Sequence, residues 1–221
     1  MNYLICQLLN DEEIKIIKNQ LNINKNDWED GKKTAGSHAA KLKHNLQLNR
    51  GSEISNNLSK LIVKKILSNP LIKSFSLPKN IHSTMFVKSS KGMKYGRHID
   101  NAFMSTGRAD LSFTIFINDK NQYKGGELKV ESINKENKFK LNSGEIIIYP
   151  STYLHSVEEI LSGERLVCVG WIESYIKSIE EREYLFDIDA GARSLLAKYG
   201  RSDDLDLIFK SYSNLLRLLG N

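Results

Sequence analysis

Cysteine and proline are scarce in this sequence, and each shortage excludes a class of protein. Two cysteines, Cys6 and Cys168, lie far apart in the chain, so they predict neither a disulfide framework nor a cysteine-based metal site and fit a reducing compartment. Only 3 prolines occur among 221 residues, which excludes a collagen-like chain. No apolar run approaches the roughly 18 to 20 residues of a membrane helix, and the N-terminus lacks signal-peptide features. We therefore expect a globular, cytoplasmic protein.

Charge is only mildly unbalanced. Lys and Arg total 32 against 26 Asp and Glu, a net charge of +6 spread along the chain. This excess favours acidic partners weakly. Short basic clusters at Lys32-Lys33 and Lys41-Leu42-Lys43-His44 predict a solvated face rather than a nucleic-acid contact.

Helical periodicity marks both ends of the chain. Residues 10–21 place Asn10 or Asp11 as an N-cap before apolar residues at helical spacing, and residues 53–68 repeat the pattern up to Pro70. A third helix is predicted over about 176–198, and a fourth begins after Ser202.

Between these helices the sequence changes to short apolar or alternating runs separated by turn residues. Eight of these runs predict strands: 81–88, 94–100, 109–118, 126–132, 137–141, 145–149, 155–160 and 165–172. Eight strands without intervening helices predict a mainly β fold with flanking helices, built on a two-sheet jelly roll, or double-stranded β-helix. We expect a domain over residues 1–175, with its jelly-roll core at about 81–172, and a helical appendage over 176–221.

A candidate metal site lies within the β zone. His98 and Asp100 stand two apart on a predicted strand, where alternation turns both side chains to one face. His155, 55 positions beyond Asp100, opens a later strand. Two His and one carboxylate hold Fe(II) while leaving three coordination positions open for a bidentate co-substrate and O2. The alternative is that these are ordinary surface or core residues.

Arg165 begins the next strand, ten residues after His155. On that strand Arg165 shares a face with Val167, Val169 and Trp171, so a cation ends an otherwise apolar inner face. A buried guanidinium needs a partner, and its planar fork matches the carboxylate of an acidic co-substrate. The alternative is a surface ion pair with Glu158 or Glu159.

Taken together, these motifs carry a family resemblance. The runs include His98-Ile99-Asp100-Asn101-Ala102, Tyr149-Pro150-Ser151, Leu161-Ser162-Gly163-Glu164-Arg165, Tyr123-Lys124-Gly125-Gly126-Glu127-Leu128, Trp28-Glu29-Asp30-Gly31, Thr34-Ala35-Gly36 and Asn45-Leu46-Gln47-Leu48. They resemble the prolyl 4-hydroxylase-like branch of the Fe(II)/2-oxoglutarate dioxygenases and, nearly end to end, the PKHD-type hydroxylases of bacteria and phages.

The resemblance implies a set of ligands and a reaction. One Fe(II) would be held by His98, Asp100 and His155, and Arg165 would bind the distal carboxylate of 2-oxoglutarate. The implied enzyme oxidatively decarboxylates 2-oxoglutarate to succinate and CO2 with O2 and hydroxylates an unactivated C–H bond, in kinship with enzymes acting on peptidyl proline. L-Ascorbate is implied as the reductant that keeps the iron ferrous.

One position departs from the family pattern. Relatives often carry a tyrosine about nine residues before the first metal-binding histidine, where this chain has Ser89. Tyr95 or Tyr149 is the candidate substitute. The segment 101–109 is the predicted lid.

The alternative to the enzyme hypothesis is a non-catalytic module that senses or stores metal or 2-oxoglutarate and recruits an acidic partner.

Three further histidines are His38, His44 and His82. We expect them to be surface or hydrogen-bonded residues rather than ligands.

Overall fold

The computed structural model describes residues 3–23, 27–34, 40–132 and 135–221. Over these residues the chain forms five α-helices and fifteen strands. The helices are α1 (Asp11–Ile23), α2 (Glu53–Ser68), α3 (Pro70–Ser76), α4 (Ile179–Tyr199) and α5 (Asp203–Leu219). None of these helices is long and apolar enough to cross a membrane.

The strands are mostly short, with two long exceptions that run through the centre of the larger sheet. They are β1 (Leu4–Gln7), β2 (Trp28–Asp30), β3 (Lys43–His44), β4 (Leu46–Leu48), β5 (Pro78–Ser90), β6 (Lys94–His98), β7 (Phe103–Met104), β8 (Gly107–Arg108), β9 (Leu111–Phe116), β10 (Tyr123–Gly125), β11 (Leu128–Ser132), β12 (Lys135–Phe139), β13 (Glu145–Pro150), β14 (His155–Val157) and β15 (Ile160–Ser174).

Two antiparallel sheets form the core of the protein. The major sheet has eight strands in the order β1-β13-β9-β15-β5-β4-β2, with β10 paired to β15. The minor sheet has five strands in the order β12-β11-β14-β6-β3. Side chains of both sheets line one cavity, so the sheets face each other. The predicted mainly β fold with flanking helices is confirmed, and the facing antiparallel sheets are those of a jelly roll.

Strict alternation along the strands creates two apolar layers. On β13, Ile146 and Ile148 belong to the cluster that packs under the helices, whereas Ile147 and Tyr149 belong to the cluster between the sheets. Because side chains on a strand point alternately to its two faces, each central strand contributes to both layers. The inner layer leaves space at one end, where the polar residues of the cavity lie.

The N-terminal helices cover the outer face of the major sheet through residues at helical spacing. Helix α1 buries Ile14, Ile17 and Leu21, and its cap is Asn10, whose side chain accepts from the Glu13 amide while Glu13 accepts from the Asn10 amide. This reciprocal pair satisfies donors at the helix start that would otherwise be orphaned. The predicted cap at residue 10 or 11 is therefore Asn10.

The C-terminal helices dock against α3 rather than against the cavity. Phe75 of α3 meets Phe186 of α4 edge to face at 5.7 Å, and the Ser74 hydroxyl donates to Asp189 at 2.7 Å. Ser202 caps α5 by accepting from the Leu205 amide. The appendage therefore supports the outer layer and adds no side chain to the cavity lining.

All eight predicted strands and all four predicted helices are present. The sequence missed α3, the short strands β1 to β4, β10 and the β7–β8 pair. The strands have two to four residues and α3 has seven, which is too short for a clear periodicity. Three of these missed strands, β2 to β4, extend the edges of the sheets; β3 joins the minor sheet and β4 the major one.

The segment 101–109, predicted as a lid, contains the β7–β8 pair. It is tied to β5: the Asn80 side-chain amide donates to the Thr106 carbonyl at 2.9 Å, and His82 Nε2 donates to the Arg108 carbonyl at 3.0 Å. Phe103, which pairs with Arg108 at the open end of the hairpin, is 76% exposed. Lid movement stays a prediction for this hairpin.

Candidate metal centre and co-substrate pocket

Three candidate ligands meet at the end of the minor sheet. His98 on β6 lies directly opposite His155 on β14, with ring centroids 4.3 Å apart. Asp100 follows just after β6, and its Oδ1 lies 4.0 Å from His98 Nε2 and 3.7 Å from His155 Nε2. Strand pairing thus brings together residues that are 55 or more positions apart in the sequence.

Backbone carbonyls fix the orientation of both imidazoles. His98 Nδ1 donates to the Gly96 carbonyl at 2.8 Å, and His155 Nδ1 donates to the Tyr153 carbonyl at 3.0 Å. Burial, together with the neighbouring His155, lowers the pKa of His98 to about 4. His98 is therefore neutral near pH 7, and its Nε2 lone pair points toward the cluster, as metal coordination requires.

Asp100 is held by two side chains of the major sheet. Its Oδ2 accepts from the Ser112 hydroxyl at 2.6 Å and from Trp171 Nε1 at 2.9 Å, and Ser112 also pairs with Ser151 at 2.7 Å. These bonds occupy Oδ2 and leave Oδ1 facing the two histidines. The sequence predicts no role at the site for either serine: Ser112 is an isolated serine on a strand, and Ser151 enters only as part of the run Tyr149-Pro150-Ser151.

The donor set fits Fe(II). The three ligand atoms lie within 4.8 Å of one another, and they are two imidazole nitrogens and one carboxylate oxygen. This is the composition of the facial triad of non-heme iron oxygenases, which leaves positions open on one side of the metal. All three residues line one cavity of about 410 Å³.

Arg165 lies at the inner end of the same cavity. It is 3% exposed, and its guanidinium carbon lies 5.4 Å from the centre of the Phe116 ring. Within the part of the chain that the structure describes, its Nε has no hydrogen-bond partner. Val167, Val169 and Trp171 line the cavity with it, as the predicted alternation requires. Burial lowers the pKa of Arg165 from its ordinary value near 12.5, but a guanidinium stays protonated and needs an anion.

The alternative surface role of Arg165 is wrong. Glu158 pairs with Lys129 at 2.6 Å and with Lys138 at 3.2 Å, and Glu159 pairs with Lys94 at 3.5 Å. Both glutamates lie outside the cavity. Among the described residues, Arg165 has no carboxylate within ion-pair distance, so its charge is available to a small acidic molecule.

A glycine turn makes room for this arginine. Gly125 and Gly126 join β10 to β11 with φ values of 72° and 71°, so they form a turn and not a phosphate loop. A Cβ at Gly126 would lie 3.1 Å from Cδ of Arg165, and one at Gly125 would lie 2.1 Å from the Glu159 carbonyl oxygen. Side chains at these positions would displace Arg165 or the strand behind it.

Three further residues bear on the departure at position 89. Ser89 is buried and lies directly opposite Arg165 in the β5–β15 pair. Tyr95 stacks on His98 with ring centroids 3.7 Å apart, whereas Tyr149 lies edge-on to His155 at 5.5 Å. Burial and the charge of Asp100 raise the pKa of Tyr149, which keeps its hydroxyl protonated as a hydrogen-bond donor.

The remaining histidines lie away from the cluster. His44 is exposed on β3, His82 is buried beneath the β7–β8 hairpin, and His38 lies outside the described residues. The prediction that the basic clusters form a solvated face is wrong at Lys43, which is 5% exposed and lines the cavity. Pairing of β3 with Tyr95 of β6 turns Lys43 inward.

Comparison with known proteins agrees with the fold and the donor set, which together define the class of 2OG-Fe(II) oxygenases. A model of the 2OG-Fe(II) oxygenase superfamily matches residues 84–173. A PKHD-type hydroxylase of Prochlorococcus marinus strain AS9601 is 72% identical over 221 residues, covering 100% of both chains. Another, from strain MIT 9215, is 73% identical over 220 residues and again covers 100% of both. The chain belongs to the PKHD-type hydroxylases and is an Fe(II)/2-oxoglutarate-dependent dioxygenase.

Solved structures share the fold at low sequence identity. A Pseudomonas putida prolyl-4-hydroxylase superposes with a TM-score of 0.57 at 15% identity, covering 78% of this chain and 92% of that chain. A prolyl hydroxylase from Trichoplax adhaerens, in complex with a hypoxia inducible factor peptide, has a TM-score of 0.55 at 15% identity, covering 83% and 86%. These neighbours establish the fold of this chain.

Proposed function

We propose that this enzyme hydroxylates an unactivated C–H bond of a substrate that enters the cavity, with release of succinate and CO2 from 2-oxoglutarate. The observation that carries the proposal is the convergence of His98, Asp100 and His155 on a cavity whose inner end holds the unpaired Arg165. A metal site and an anion site on one cavity match a metal-chelating dicarboxylate.

Each residue then has a role that its contacts support. His98 and His155 offer their Nε2 atoms and Asp100 offers Oδ1, so the three would hold one Fe(II), which supplies the oxidative chemistry when bound. Arg165 binds the distal carboxylate of 2-oxoglutarate through its fork. The protonated Tyr149 hydroxyl donates a hydrogen bond to the same molecule, in place of the tyrosine that Ser89 replaces. The apolar walls formed by Val167 and Val169 exclude water from the bound co-substrate.

A peptide is the substrate class that the neighbours favour. Two of the structural neighbours are named prolyl hydroxylases, one of them in complex with a peptide. The cavity mouth carries exposed apolar side chains, with Ile99 54% and Phe103 76% exposed, and an exposed apolar rim is typical of a binding groove. We propose a peptidyl substrate, with proline as the first residue to examine.

Anaerobic titration separates the enzyme from a metal or 2-oxoglutarate sensor. Addition of 2-oxoglutarate to the Fe(II)-loaded protein is expected to give the weak visible charge-transfer band of a chelated ferrous complex. Exposure to O2 is then expected to yield succinate in step with 2-oxoglutarate loss. A folded, iron-loaded sample without the band would refute the site assignment, whereas the band without succinate would favour the sensor.

Trp171→Phe tests whether the hydrogen bond from Trp171 orients the Asp100 carboxylate for metal binding. Phenylalanine keeps an aromatic ring in place but removes the N–H that donates to Asp100 Oδ2, so the carboxylate is less well oriented. We expect the affinity for Fe(II) to fall about 10-fold, at the lower end of the 10- to 100-fold effect of losing an outer-sphere partner. Anaerobic metal titration measures this, with Trp28→Phe as control, since Trp28 lies on β2 under Lys88. Equal affinities in the two variants would show that Ser112 alone positions Asp100.

Three further assignments stay predictions. These are the use of ascorbate, the cytoplasmic location, and the division of the chain into a dioxygenase domain of residues 1–175 and an appendage of residues 176–221. The docking of α4 on α3, away from the cavity, supports this division of the chain.

A further inference from the structure

Lys43 and Gln47 place hydrogen-bond donors in the cavity wall away from β15, beside Asn45, whose buried Oδ1 has no donor among the described residues. Strand β3 pairs with β6 in the minor sheet, and β4 pairs with β5 in the major sheet, so residues 43–48 close this side of the cavity between the sheets. Lys43 and Gln47 line the cavity and are only 5% and 2% exposed. Neither residue has a role in holding iron or in the contacts that surround Arg165.

Lys43 is a buried cation without an anion. Its Nζ donates to the Thr34 hydroxyl at 3.2 Å and lies 5.2 Å from the centre of the Tyr95 ring. Among the described residues no carboxylate lies within ion-pair distance of it. An ammonium has three donors, and burying one without a partner is costly. Burial lowers the pKa of Lys43 to about 8, opposed by Asp100 and Asp30, so the group is still charged near pH 7.

Gln47 adds a second unsatisfied donor. The Thr34 hydroxyl accepts from Lys43 and has two acceptors for its own hydrogen, Gln47 Oε1 at 2.5 Å and the Gly31 carbonyl at 3.2 Å. The shorter contact assigns that hydrogen to Gln47. This bond fixes the side-chain amide with its nitrogen on the other side, and Gln47 Nε2 has no hydrogen-bond partner among the described residues. Gln47 Nε2 therefore lacks an acceptor, and the Lys43 ammonium has one neutral acceptor but no anion. The partner that would satisfy both is an oxyanion.

We propose that Lys43 and Gln47 form a subsite for a carboxylate of the hydroxylated substrate. The inference rests on the proposed function and extends it: the enzyme acts on a molecule that bears an acidic group. The co-substrate carboxylate belongs elsewhere, because Arg165 stands on β15, whereas Lys43 stands on β3 beside Tyr95, the ring that stacks on His98. The acidic group would thus hold the substrate on the β6 side of the metal.

Thermal unfolding with a matched pair of probes tests the subsite without turnover. The protein is loaded with Zn(II) and saturating 2-oxoglutarate, and acetate is compared with acetamide at constant ionic strength. At about ten times its Kd, acetate is expected to raise the Tm of the wild type by about 3 °C more than acetamide does. The difference should vanish in Lys43→Met and shrink in Gln47→Leu.

A matched control variant distinguishes binding of acetate at the subsite from a general effect of removing a positive charge. Lys94→Met removes an exposed cation that also lines the cavity but pairs with Glu159, and it is expected to keep the acetate effect. Acetate bound at the zinc would stabilise wild type and Lys43→Met alike, which would overturn the proposal. Loss of 2-oxoglutarate affinity in Lys43→Met, measured by calorimetry, would also overturn it by making Lys43 a co-substrate anchor.

Two further probe pairs identify where the acidic group comes from. Calorimetry compares N-acetylproline with N-acetylprolinamide, and N-acetyl-aspartyl-prolinamide with its asparaginyl counterpart. Tighter binding of the acid in the first pair points to a free carboxylic acid, and in the second pair to an acidic side chain of a peptide; either preference must be lost in Lys43→Met. No acid preference in any pair, acetate included, refutes the subsite. The proposed function fails separately, if the wild type forms no succinate.

Discussion

Asp100→Ala is expected to abolish iron-dependent succinate formation from 2-oxoglutarate. Two imidazoles remain after the substitution, and of the three candidate ligands the metal loses the carboxylate. The fold should persist, because Asp100 lies on the cavity wall and its partner Ser112 keeps a hydrogen bond to Ser151. Succinate formation at saturating iron is the measurement, with the Tm of the metal-free protein as the check on folding.

Histidine variants provide the matched comparison. His98→Ala and His155→Ala should lose activity as Asp100→Ala does, whereas His44→Ala should keep it, because His44 is exposed on β3 outside the cavity lining. Full activity in any one of the three ligand variants would remove that residue from the metal site.

Arg165→Lys is expected to raise the 2-oxoglutarate concentration at half-saturation about 30-fold or more, while Fe(II) binding is retained. Lysine keeps the charge but loses the bidentate fork. Loss of a charge-assisted pair with a buried partner costs about 2 to 5 kcal/mol, and 1.4 kcal/mol corresponds to a tenfold change in affinity. Titration of succinate formation with 2-oxoglutarate at saturating iron measures the shift.

Arg201→Lys is the control for this substitution. Arg201 also forms a bidentate pair, with Asp206, but it is exposed at the start of α5, where such pairs contribute under about 1 kcal/mol. Its half-saturation point should match the wild type. If the Arg165 variant gives the same curve as this control, another residue binds the distal carboxylate, and Tyr149 becomes the first to test.

The sequence predicted the residues whose chemistry depends on strand alternation. Arg165 shares a face with Val167, Val169 and Trp171, as alternation predicts. Asp100, predicted on one strand with His98, lies two residues beyond the end of β6. The structure brings both sets to one cavity. These residues are predictable because they lie on or beside strands that are long enough to show alternation.

Alternation does not predict the orientation of residues on very short strands. It also does not predict contacts between residues on different sheets. The sequence predicts Lys43 as part of a solvated basic cluster, because a two-residue strand has no periodicity that separates an inward side chain from an outward one. Ser112 lies on a correctly predicted strand, but its bond to Asp100 joins positions twelve residues apart across the sheets. Only the packing of the two sheets determines that contact.

The order of these elements along the chain separates two kinds of residue. Lys43 and Gln47 come before residue 50, whereas the three ligands and Arg165 lie between residues 98 and 165. Substitutions before residue 50 can alter which acid the cavity accepts while the three metal ligands and Arg165 stay in place. Substrate preference can therefore diverge under selection without loss of the oxidation reaction. A library confined to residues 40–50 would exploit the same independence in directed evolution.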